Sequence, residues 1–199
     1  MAEERRDRII ESARALFLRS GFRHTSVNAI AEEAGIAKRT LYMYFPSKEA
    51  IFSAMLDECR EAAMVRLAAA EQSDQSLESK IADLLYAYYG TALEWFGDER
   101  HLNELRALHV QFPQTFTYGR PEGEVTARVA AMIEADFSRR GDPADAAGIA
   151  TASRVLVAAA IGIKAGGTVA PEDYRKDLRD ITHCVYAGLT ALSNEALAQ

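Results

Sequence analysis

Residues Ser26–Lys48 read SVNAIAEEAGIAKRTLYMYFPSK, and the spacing of apolar residues in this stretch decides the fold. Ile30, Ala31 and Ala34 recur at helical intervals, Gly35 follows as a stop, and Ile36, Thr40, Leu41 and Tyr44 begin a second pattern. Two short helices joined by a tight turn follow from this. A glycine past the first helix takes the left-handed conformation at little cost, and the small Ala31 lets the second helix cross closely over the first. The geometry is that of a helix-turn-helix. Its second helix, from about Ala37 to Phe45, turns Lys38, Arg39, Tyr42 and Met43 outward, and Pro46 ends it.

Working outward, a first helix from about Glu3 to Ser20 buries Ile9 or Ile10, Ala13, Leu16 and Phe17, and Gly21 stops it. Thr25 and Ser26 supply hydroxyls at the start of the next helix. They cap it, and both lie where a phosphate would meet the positive helix end. Charge is distributed to match. Residues 1–48 carry nine Lys/Arg against six Asp/Glu, whereas the remainder carries 14 against 23, within a chain of net charge −6. One end suits a polyanion and the rest repels it.

Beyond Pro46 the text is helical nearly to the end. Ser47 caps a long helix from Lys48 to about Glu71, and Leu77 to about Trp95 forms another. Shorter segments follow before a helix that starts at Pro121 and ends near Gly141. Asp142 and Pro143 are placed to open a helix reaching about Ala165, with Val157 and Ile161 on its lined face. Pro171 opens the last, in which Leu178, Ile181, Val185, Leu189 and Leu192 are spaced 3, 4, 4 and 3. This stripe serves either the core of one subunit or a helical interface. The reading is all-α: an N-terminal three-helix DNA-binding domain over residues 1–48 and a larger helical domain over 49–199.

The run RIIESARALFLRSGFRHTSVNAIAEEAGIAKRTLYMYFPSKEAIFSAML, Arg8 to Leu56, resembles the N-terminal domain of the TetR/AcrR family of bacterial transcriptional regulators. The A-x-x-L-F-x-x-x-G-F-x-x-T-S-V end of the first helix, the I-A-x-x-A-G turn and T-L-Y-x-Y-F-P-S-K-E carry the likeness. It implies base contacts from the helix after Gly35, with Lys38 and Arg39 foremost. It also implies phosphate contacts from Thr25, Thr40, Tyr42, Tyr44 and Lys48, with Ser26 beside them. Ala37 departs from the usual capping Ser or Thr, and Arg39 from a small residue. The resemblance further implies a homodimer built by the last two long helices, which assigns Val157, Ile161, Leu178, Ile181, Val185 and Leu189 to a two-fold interface.

A regulator of this kind senses something. Aromatic residues crowd the segment 80–140, with polar groups between them, as a small-molecule pocket requires. Tyr89, Trp95, Arg106, His109 and Phe112 are the effector candidates. Other chemistries lack their residues: His101 and His109 stand eight apart, no paired ligand spacing exists, and no glycine-rich phosphate loop or hydrolytic triad is recognisable. No metal, cofactor or catalytic residue is expected. Cys59 and Cys184 have no paired spacing and fit a reducing cytoplasm. The charged start argues against a signal peptide, and the longest apolar run, Val155 to Ile163, is about half a bilayer's requirement. The expected function is a cytoplasmic, DNA-bound repressor released from a near-palindromic operator by a small molecule. The alternative is an activator or ligand-independent regulator on the same scaffold, with a small all-helical enzyme far behind.

Overall fold

The computed structural model describes residues 2–96, 122–142, 145–165 and 170–197, and the described residues form nine α-helices and no strand. These are α1 Ala2–Ser20, α2 Val27–Glu33, α3 Lys38–Tyr44, α4 Lys48–Gln72, α5 Leu77–Tyr89, α6 Thr91–Phe96, α7 Glu122–Arg140, α8 Ala146–Ala165 and α9 Pro171–Leu197. Two compact units emerge. The described residues of 1–62 and 92–119 make one, and those of 63–91 and 120–199 make the other.

In the first unit α1, α2, α3 and the start of α4 enclose a core of Ile9, Ile10, Leu16, Ile30, Leu41 and Ile51. Phe17, Phe22 and Phe52 meet ring to ring at centroid separations of 5.0–5.6 Å, offset or edge-on as aromatic quadrupoles prefer. Full burial of each such side chain stabilises by about 1.5–3 kcal/mol. Arg6 is held by Glu58 of α4 at 3.1 Å and lies over the Phe45 ring. Burial pushes the Glu58 carboxyl above its ordinary range, and the Arg6 guanidinium pulls it back.

In the second unit α9 packs on α5 and α8, and α7 packs on α8 and α5. Two buried hydroxyls are answered by carbonyls: that of Tyr174 donates to Ala160 at 2.7 Å, and that of Thr182 to Leu178 at 2.6 Å. Asp136 of α7 accepts from the Tyr186 hydroxyl of α9 and pairs with Arg139. Burial, then the bond to Asp136, pushes the Tyr186 hydroxyl up to about 12.

Two boundaries differ from expectation. The predicted helix from Leu77 to Trp95 breaks at Gly90, where a Cβ would sit 2.5 Å from the Tyr86 ring, so only glycine admits that packing. The cap of α8 is Asp145, whose carboxylate accepts from the Ala147 and Gly148 amides at 3.0 Å. Asp142 is drawn off by Arg140, at 2.6 Å.

Candidate nucleic-acid interface

The turn between α2 and α3 is built locally. Ser26 Oγ accepts from the Ala29 amide at 3.1 Å, capping α2, and Ala34 ends it. Gly35 then takes φ +65°, a conformation that costs other residues dearly, and the Ile36 amide donates back to the Ala31 carbonyl at 2.9 Å. Ala37 offers no side-chain cap to α3, although its carbonyl accepts from the Thr40 amide at 2.8 Å. Of the seven residues of α3 only Leu41 is buried, at 0% exposure, and it anchors the helix through one side chain.

The opposite side of α3 is left to solvent. Lys38 and Arg39 are exposed, Tyr42 is 45% exposed and Met43 is 79% exposed. A methionine that open has no packing role in this subunit. Lys38 Nζ lies 6.0 Å from the centre of the Tyr42 ring, one turn away, so ammonium and ring share the face. Thr40 and Tyr44 are half-buried at its flanks, and Ser26 remains at the surface. The face thus offers two cations, an aromatic and a soft apolar tip on a helix of major-groove width.

Two candidates are engaged otherwise. Thr25 is buried, and its hydroxyl donates to the Gly21 carbonyl at 2.8 Å. Lys48 Nζ donates to the carbonyls of Phe22 at 2.7 Å and Thr25 at 2.9 Å and lies over the Phe22 ring. It therefore staples the start of α4 to the loop before α2. A charge-assisted bond to two carbonyls is a structural task, and spacing alone could not reveal it because the partners lie 26 and 23 residues away.

Residues 9–55 match the family described as "Bacterial regulatory proteins, tetR family". Along the greater part of the chain, the HTH-type transcriptional regulator UidR of Escherichia coli is 25% identical over 164 residues, 82% of each protein. Over residues 9–55 the chain is therefore similar to the TetR family of bacterial regulatory proteins. A solved TetR/AcrR regulator from Thermobifida fusca is 25% identical, with a TM-score of 0.62 over 93% of this chain and 98% of that one. The HTH-type regulator YuxN of Bacillus subtilis is 35% identical over 92 residues, 46% of this chain, although the match spans only 32% of YuxN itself. These relatives are named as HTH-type transcriptional regulators.

The regulator's remaining candidates fall differently. Arg106, His109 and Phe112 lie outside the described residues. Tyr89 is buried in the second unit, and Trp95 is half-buried in the first, under the Arg14 guanidinium at 5.0 Å. The residues assigned to a two-fold interface divide by exposure. Leu178 is 0% exposed, and Val157 and Leu189 are buried too, all within one subunit, while Ile161, Ile181 and Val185 are half-buried. Helical spacing tells which side chains share a face but not which neighbour covers it.

The uncovered faces of the last two helices carry other residues. On α8 they are Thr151, Val155, Ala158 and Gly162; on α9, Cys184, Ala187, Gly188, Ala191 and Leu192, the last 67% exposed. Nothing lies within 4 Å of a Cβ built at Gly162 or Gly188. The segment Ala146–Ile163 is long and apolar enough by composition to cross a membrane, yet only 33% of it is buried, so it is apolar beyond the needs of its own core. Mid-helix glycines cost about 1 kcal/mol relative to alanine, and that cost was the overlooked signal in the sequence.

Proposed function

We propose that this regulator is a cytoplasmic homodimeric repressor that holds a near-palindromic operator and releases it on binding a small molecule. In this reading residues 1–48 bind duplex DNA and residues 49–199 bind the effector and the second subunit. The observation that carries it is α3, a helix fixed by Leu41 alone and presenting Lys38, Arg39, Tyr42 and Met43 to solvent. Lys38 and Arg39 donate to guanine edges, and Tyr42 and Met43 meet thymine methyls. Thr40, Tyr44 and Ser26 contact phosphates from the flanks.

The second subunit supplies the cover that α8 and α9 lack. Small residues at Ala158, Gly162, Ala187, Gly188 and Ala191 let the backbones of two copies approach closely, and burial of Val155 and Leu192 drives the association. Two α3 helices related by a two-fold axis then enter successive major grooves about 34–36 Å apart. Differential effector affinity for two spacings of those helices is what permits release.

Selection of bound duplexes from random DNA by the full chain tests the reading. The expected product is an inverted repeat with half-sites one helical turn apart, bound by two chains in light scattering. A directional site bound by one chain would overturn it. Trp95 is the single tryptophan, so its fluorescence during ligand titration reports the effector arm.

A further inference from the structure

We infer that the groove formed by the end of α4, the start of α5 and one face of α7 binds an amphipathic organic anion, a carboxylate or phosphate head on a short hydrocarbon body. The cavity has a volume of about 470 Å³, within the range of small-molecule sites. Neither Tyr89 nor Trp95 lines it.

Its floor is apolar. Leu77 of α5 faces Ala131, Met132 and Ala135 of α7, which fall on one helical face. The charges stand around that floor. Glu71 is paired with Arg128 at 2.7 Å, and Asp136 is paired with Arg139 and bonded to the Tyr186 hydroxyl. Lys80, the third cation lining the groove, has no ion-pair partner among the described residues.

This arrangement selects among ligands. A cation would meet three positive side chains whose two acids are already committed. A neutral hydrocarbon would cover the apolar floor but strip water from Lys80 without replacing it. An amphipathic anion satisfies both, placing its head at Lys80 and its body on Met132 and Leu77. A head that also reaches Arg128 competes with Glu71, the carboxylate that ties the last turn of α4 to α7.

Methyl NMR of the full chain labelled at its five methionines tests this with sodium octanoate and octyl phosphate as probes. The Met132 methyl, assigned through Met132→Leu, is expected to shift saturably with a Kd below about 1 mM, ordinary for a ligand of about ten non-hydrogen atoms. Met43 should not move. Octanol should bind at least about tenfold more weakly, and Lys80→Gln, at a surface position, should weaken octanoate by about tenfold. A Met132 methyl unmoved by both anions, octanol equal to octanoate, or Lys80→Gln equal to the parent would each overturn the inference. Operator DNA added to the same sample moves Met43, so a failure of the DNA-binding reading registers separately.

Discussion

Helices α3 and α9 both turn a face to solvent, and the two faces are made of opposite materials. The seven residues of α3 send out long side chains: Lys38, Arg39, Tyr42 and Met43. Such groups reach several ångströms beyond the backbone and can select a partner by its donors, acceptors and methyls. The 27-residue α9 exposes Cys184, Ala187, Gly188 and Ala191, which have almost nothing to reach with. A face of that kind suits only a backbone brought close to it. Exposure therefore marks both helices as unfinished, and side-chain length tells what would finish each one.

The sharpest way to break this contrast is to interchange the roles of the buried and exposed stripes of α9. Leu178→Ala should lower the unfolding free energy in urea by about 2–5 kcal/mol, because that side chain is core. If it cost almost nothing while splitting a dimer, the stripe would belong to the interface after all. Gly188→Arg should do the reverse. Gly188 is exposed and nothing lies within 4 Å of a Cβ built there, so the fold of one subunit should persist. Self-association measured by sedimentation should weaken roughly 100-fold, about 2.8 kcal/mol.

In the first unit the contrast lies between a reading residue and a holding residue. Lys48→Ala should cost about 1.5–3 kcal/mol of stability by removing a charged donor from the Phe22 and Thr25 carbonyls. Arg39→Ala should leave the melting curve unchanged and cost about 1–3 kcal/mol at one base pair in competition binding. Indistinguishable effects of the two on base preference would dissolve that division.

The smallest effect concerns the Tyr186 link. Its hydroxyl is pushed up to about 12, against about 10 when unfolded, so the unfolded chain gives up this proton first. The stabilisation is complete below about pH 10 and is lost as pH rises toward about 12. Tyr186→Phe should remove that part of the pH dependence, seen as a parent-minus-variant stability difference that is level below pH 10 and changes only above it.

What the chain wrote locally could be read locally. The Ser26 cap and the left-handed Gly35 involve partners within a few residues, and the apolar spacing marks Leu41 as the inward residue of α3, so spacing alone defined the helix-turn-helix and its outward face. What depended on distant partners could not be read that way. Lys48 was assigned to phosphate from motif position, whereas folding hands it two carbonyls more than twenty residues upstream. Gly90 is the local exception: it looked like one residue of a longer helix, although the Tyr86 ring that closes over it is only four residues upstream. The stripe of α9 was legible as a stripe, but spacing left open what covers it: Leu178 and Leu189 are buried within one subunit, and Ile181 and Val185 are half-buried. Periodicity fixes the angle between side chains on one helix, but only tertiary packing decides which of those angles meets protein and which is left open.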